Sequence, residues 1–121
     1  MQIEEHKRGD VCILDIVGEL RFGTSIGRLQ LRTQELIVSG EKFFVLNMTR
    51  SPWLDSSGIG AVVEFFQRAR AQKGVVKLVL TEKSRSIFTV SQLEKMFDIF
   101  DDLDSAVASF DEPGGRYRER L

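Results

Sequence analysis

Apolar and polar positions change their period several times along the chain, and each change marks an element. Val11-Cys12-Ile13-Leu14-Asp15-Ile16-Val17 sets Cys12, Leu14 and Ile16 on one face and Asp15 on the other, the alternation of a strand covered on one side. Gly9-Asp10 before it suits a tight turn back to a short first strand from Ile3 to Lys7. Gly18-Glu19-Leu20-Arg21-Phe22-Gly23 breaks the alternation. Thr24 or Ser25 then caps a helix running to about Val38, with Ile26, Leu29, Thr33, Leu36 and Ile37 at core spacing and Gly40 just past its end. Phe43 to Met48 is almost continuously apolar, as a central strand buried on both faces would be. Ser51-Pro52 forces an extended or turning backbone. A second helix from about Ser57 to Gln72 turns Ile59, Val62, Val63, Phe66 and Ala69 inward and stops at Gly74. Val75 to Leu80 is another apolar strand. Ser84 or Ser86 caps a third helix carrying Ile87, Val90 and Leu93 to about Lys95. Ile99-Phe100 reads as a short edge strand, Asp104 to Phe110 as a final short helix, and Pro113-Gly114-Gly115 as the start of a charged tail.

Strands alternating with helices require crossover connections, hence helices packed on a mostly parallel sheet. The expected fold is α/β: one domain over residues 1–110, with a mixed, mostly parallel sheet of four to five strands and about four helices. Residues 111–121 are expected to form a charged flexible C-terminal tail. The first pair of strands, joined by a tight turn, is the antiparallel exception.

Composition narrows the function. Seventeen Lys and Arg against eighteen Asp and Glu leave a formal charge of −1 over 121 residues. That balance supplies no phosphate-neutralising stripe, so no nucleic-acid partner is expected. Arg116, Arg118 and Arg120 are a local exception confined to the tail. Cys12 is the only cysteine, which excludes an intrachain disulfide and a thiolate metal cluster, and its surroundings suit a small buried thiol. The first residues lack a basic start followed by an apolar run, and no uncharged apolar run approaches the ~18 residues of a membrane span. A cytoplasmic protein with no membrane partner is expected, a monomer or weak dimer.

Catalytic constellations are missing. A nucleophile elbow needs Gly-x-Ser-x-Gly, yet Asp55 stands two residues before Ser57, and the only histidine for a base is His6, near the start of the chain. Gly58-Ile59-Gly60 is followed by Ala61-Val62 rather than the lysine of a phosphate-binding loop. One His and one Cys leave only scattered carboxylates for a metal, so neither metal nor cofactor is expected. A nucleotide or small-molecule sensor would also need a polar cage that the glycine-rich turn does not supply.

What remains is Asp55-Ser56-Ser57-Gly58-Ile59-Gly60, at the junction of a loop and a helix. Structurally, Ser56 or Ser57 caps the helix, Asp55 favours its positive end, and the two glycines permit close packing. Two glycines in one first turn cost about 1 kcal/mol each relative to alanine, which suggests that another backbone or a partner comes close. Trp53, just before the motif, is either a lid over the sheet's end or an interface anchor.

The hexapeptide, placed after an apolar strand and a short loop, resembles the signature of the STAS domain family, in particular bacterial anti-sigma factor antagonists. Gly18-Glu19-Leu20, the strand Val75 to Leu80, and Phe97-Asp98-Ile99-Phe100-Asp101 agree with that family, and the likeness spans about residues 3–110. The resemblance implies a non-enzymatic binding module whose acceptor for phosphorylation is Ser57, with Ser56 the second choice. Its partners would be an anti-sigma serine kinase, which holds the ATP, and a serine phosphatase. The unphosphorylated antagonist sequesters the kinase and frees a sigma factor. Asp55, Ser56, Ser57, Gly58, Ile59, Gly60, Trp53 and Arg21 are the expected partner-binding residues. Arg21 and Asn47 stand where such antagonists often carry acidic residues, and Arg21 and Arg50 are candidates to hold a phosphate or an acidic partner. The alternative within the family is an unphosphorylated interaction subunit of a signalling or transport complex, with Ser57 serving only as a cap.

Overall fold

The computed structural model describes residues 1–111. Strands β1 (Gln2–Arg8), β2 (Val11–Val17), β3 (Phe43–Arg50), β4 (Val75–Val79) and β5 (Asp98–Phe100) form one sheet in the order 1-2-3-4-5. Only β1 and β2 are antiparallel, and every later pair is parallel. The crossovers are α1 (Thr24–Val38), α2 (Ser56–Ala71) and α3 (Glu82–Val90), and α4 (Leu103–Ala108) follows β5.

Alternation along the strands feeds two cores. Cys12, Leu14 and Ile16, with Phe44, Leu46, Met48, Leu78 and Leu80, face α1 to α3 and meet Leu29, Leu36, Val62, Phe65 and Phe88 there. Val11, Ile13, Val45 and Val79 face the other way and are closed off by Ala106 and Phe110. β2 is therefore buried on both faces over its first half, not on one. The helix after β5 covers the Val11 and Ile13 side, and a period-two count within a single strand cannot reveal that cover.

Helix boundaries differ from the sequence expectation where capping chemistry decides them. α1 is capped by Gly23, with no side-chain cap bond, while Ser25 Oγ donates back to the Arg21 carbonyl at 2.7 Å. α3 starts one turn early because Thr81 and Ser84 cap it reciprocally: Ser84 N–H donates to Thr81 Oγ1 at 3.2 Å and Thr81 N–H to Ser84 Oγ at 3.0 Å. That start turns Phe88 inward and leaves Val90 exposed. The helix ends at Val90 rather than near Lys95, since Gln92 takes a left-handed conformation and a separate 3-10 turn, Glu94–Met96, follows. In α2 the buried residues are Gly58, Ala61, Val62, Phe65 and Ala69, so Phe65 takes the deep place expected of Phe66. Phe66 is half-buried and packs edge-on against Phe97, 5.0 Å between ring centroids. Asp102, not Asp104, begins α4, which gives way to a 3-10 turn over Ser109–Asp111. Asp111 thus belongs to that turn. The rest of the expected tail, with Arg116, Arg118 and Arg120, lies outside the described residues.

Lys77 was hidden in the apolar run of β4. Its side chain is buried on the α4 face, where Nζ donates to Ser109 Oγ at 2.7 Å and lies 4.3 Å from the centre of the Phe110 ring.

Candidate functional site: a loop seam tied to the start of α2

Beyond the strand ends, the segments after β2 and β3 run side by side. Gly18 N–H donates to the Arg50 carbonyl at 3.1 Å, Leu20 N–H to the Trp53 carbonyl at 3.0 Å, and Asp55 N–H to the Leu20 carbonyl at 3.3 Å. Buried Ser51 adds its Oγ to the Gly18 carbonyl at 2.7 Å. Leu20 and Leu54 form a parallel bridge with both side chains buried, which roots the seam in the larger core.

Asp55 closes it. Its Oδ1 accepts the Gly58 N–H at 3.0 Å, so Asp55 is the cap of α2, in place of the expected Ser56 or Ser57. Its Oδ2 accepts the Phe22 N–H at 3.1 Å and so draws in the loop after β2. The Phe22 amide first, and the Gly58 amide next, hold this carboxyl below the usual aspartate range. Capping by the aspartate leaves the Ser56 and Ser57 hydroxyls without a side-chain hydrogen bond among the described residues. Ser56 is exposed and Ser57 half-buried.

The two glycines prove unlike. A Cβ on Gly58 would fall on the Leu20 carbonyl oxygen and sit 2.9 Å from Leu54 Cβ, so the close approach inferred for the motif is real there, and it is made by the chain itself. A Cβ on Gly60 would meet nothing within 4 Å. Ile59 is half-buried and packs against the larger core. Trp53 is 45% exposed and Phe22 85% exposed, which puts two aromatic rings on the flanks of the motif. Arg21 is exposed and paired with Glu19 at 3.1 Å, and Arg50 is paired with Glu4 at 3.1 Å. Asn47 donates to Asp15 Oδ1 at 2.6 Å on the α4 face of the sheet, away from the motif. Phe22 was not among the expected site residues although its neighbour Arg21 was; the Asp55 clamp is what ties its own backbone to the start of α2. A run of six residues bounded by Gly18 and Gly23 was the available hint.

A mixed five-stranded sheet with helices on both faces, and a seam of two loops presenting hydroxyls at a helix start, define a small α/β domain. A family model described as the STAS domain matches residues 2–106. The chain belongs to the STAS domain family. Among solved structures, an anti-sigma factor antagonist from Mycobacterium paratuberculosis superposes with a TM-score of 0.82 at 16% identity, over 92% of this chain and 94% of that one. The phosphorylated form of the Bacillus cell fate determinant SpoIIAA superposes at 0.70 with 19% identity, over 88% and 97%. A sulfate transporter family protein from Wolinella succinogenes superposes at 0.74 with 25% identity, over 84% of each chain. No curated protein matches.

Proposed function

We propose that this STAS domain is an anti-sigma factor antagonist, a binding module rather than an enzyme, switched by phosphorylation of Ser57. Unmodified, it sequesters an anti-sigma serine kinase in the cytoplasm, as a monomer or weak dimer, and frees a sigma factor. The kinase transfers the γ-phosphoryl group of its ATP to Ser57 Oγ, the hydroxyl proton is lost and ADP leaves. A serine phosphatase reverses the step. The observation that carries this reading is the pair of unbonded hydroxyls at the start of α2, in a seam whose residues Phe22 and Trp53 are exposed. Aromatic rings beside a polar contact are the usual anchors of a protein interface. A phosphate adds about −1.5 to −2 charges. Set beside the Asp55 carboxylate on a surface that must be desolvated on docking, it opposes the complex while the domain stays folded. Ser57 is chosen over Ser56 by correspondence with the family acceptor, and exposure alone would favour Ser56.

Intact-mass measurement after incubation with the kinase of the same organism and ATP tests this. One added phosphate, absent in Ser57→Ala and retained in Ser56→Ala, is expected. The second reading, an interaction subunit used without phosphorylation, is favoured by the likeness to the sulfate transporter family protein. It predicts no added mass with any kinase.

A further inference from the structure

We propose that Arg21 holds the phosphate: when Ser57 is modified, the Arg21 guanidinium leaves Glu19 and pairs with the phosphate across the seam. This rests on the reading that Ser57 is the modified residue. Geometry brings the two together through Asp55, whose carboxylate oxygens accept the amides of Phe22 at 3.1 Å and Gly58 at 3.0 Å. Two oxygens on one carbon fix those amides within roughly 8 Å of each other by bond lengths alone. Arg21 and Ser57 are the residues that immediately precede them, so their α-carbons lie within the combined span of an extended arginine and a phosphoserine.

The base of the arginine is fixed, because its carbonyl accepts Ser25 Oγ at 2.7 Å and the neighbouring Leu20 amide donates to Trp53. Its head is free to move. The Glu19 pair is exposed on both sides, 64% and 45%, and such pairs contribute little. A phosphate offers a larger charge and two acceptor oxygens matched to the guanidinium fork, a stronger partner than one surface carboxylate. Arg50, the other cation at the seam, makes a similarly exposed pair with Glu4 on β1, but the Asp55 oxygens accept the amides that follow Arg21 and Ser57, not the one that follows Arg50. Phosphorylation then exchanges an arginine–glutamate pair for an arginine–phosphate pair, pins the Phe22 loop to α2, and leaves Glu19 as a new bare carboxylate on the docking face.

The test installs phosphoserine at position 57 during translation of the full chain and follows its phosphate by ³¹P NMR against pH. In wild type the second phosphate pKa is expected to lie below that in Arg21→Gln by on the order of half a unit, since an adjacent cation favours the dianion. The gap should shrink in about 1 M salt, and Arg21→Lys should fall between the two. The Arg21 Nε resonance should move on phosphorylation in wild type. Equal phosphate pKa values in wild type and Arg21→Gln, or a higher value in wild type, would overturn the proposal. No kinase is involved, so this outcome is independent of the intact-mass experiment, which judges the modification of Ser57 alone.

Discussion

Replacing either motif glycine by alanine should move stability in opposite directions, though both sit in the first turns of the same helix. Alanine is the better helix former by about 1 kcal/mol, and both substitutions gain that. At Gly60 nothing opposes it: the new methyl group meets open space, and the residue is exposed. At Gly58 the methyl lands on the Leu20 carbonyl oxygen and Leu54 Cβ. That carbonyl cannot swing aside cheaply, since it accepts the Asp55 N–H at 3.3 Å within the seam. Overpacking of this kind costs about 1–3 kcal/mol, and parting the seam also disturbs the Phe22 and Gly58 bonds to Asp55. The net expectation is a loss of about 1–2 kcal/mol for Gly58→Ala and a gain of up to about 1 kcal/mol for Gly60→Ala. At roughly 4 °C per kcal/mol for a domain of this size, the two melting temperatures should differ by about 10 °C. Urea unfolding with unchanged m-values would give the free energies directly. A Gly58→Ala protein as stable as wild type would show that the Leu20 backbone does not press on α2, and the seam would lose its basis.

Truncating Phe22 or Trp53 to alanine is expected to leave the melting temperature nearly unchanged for the exposed Phe22. Each should weaken kinase binding by about 2 kcal/mol, some thirtyfold, as measured by titration calorimetry. Asp55→Asn keeps a capping oxygen but removes the charge. Because the folded-state carboxyl titrates below its ordinary range, the stabilisation it brings is present above that range and fades as pH falls through the lowered folded value. The wild-type advantage over Asp55→Asn should therefore be full at neutral pH, start to fade only below about pH 4, and vanish once the pH is below the lowered folded value. Ser109→Ala withdraws an acceptor from buried Lys77 Nζ and should cost about 1.5–3 kcal/mol in urea unfolding. Burial pushes the Cys12 thiol up, so a disulfide reagent should label it only as the protein unfolds.

Strand identity was legible because the apolar runs of β3 and β4 and the alternation in β2 reflect a sheet that shields side chains at a period of two. The caps were less so. Thr81 lies just past the apolar run that ends at Leu80, and Ser84, three residues on, was one of two candidates for the cap; only their reciprocal bonds show that the pair shares the work. Lys77 was invisible for a similar reason, since a lysine in an apolar strand reveals its burial only when α4 and Ser109 close over it. Within the hexapeptide, the cost of two glycines pointed to a close approach, which holds for Gly58 alone. The partner in that approach is Leu20, thirty-eight positions earlier in the chain. Contacts at such separation leave no periodic trace in either segment, and Phe22 joined the site only through them.

The most direct measurement is the affinity of the anti-sigma kinase for this chain with serine or phosphoserine at position 57, both proteins confirmed folded by circular dichroism. The phosphorylated form should bind at least tenfold more weakly while melting at a similar temperature. Equal affinities would mean that charge at the start of α2 does not govern docking.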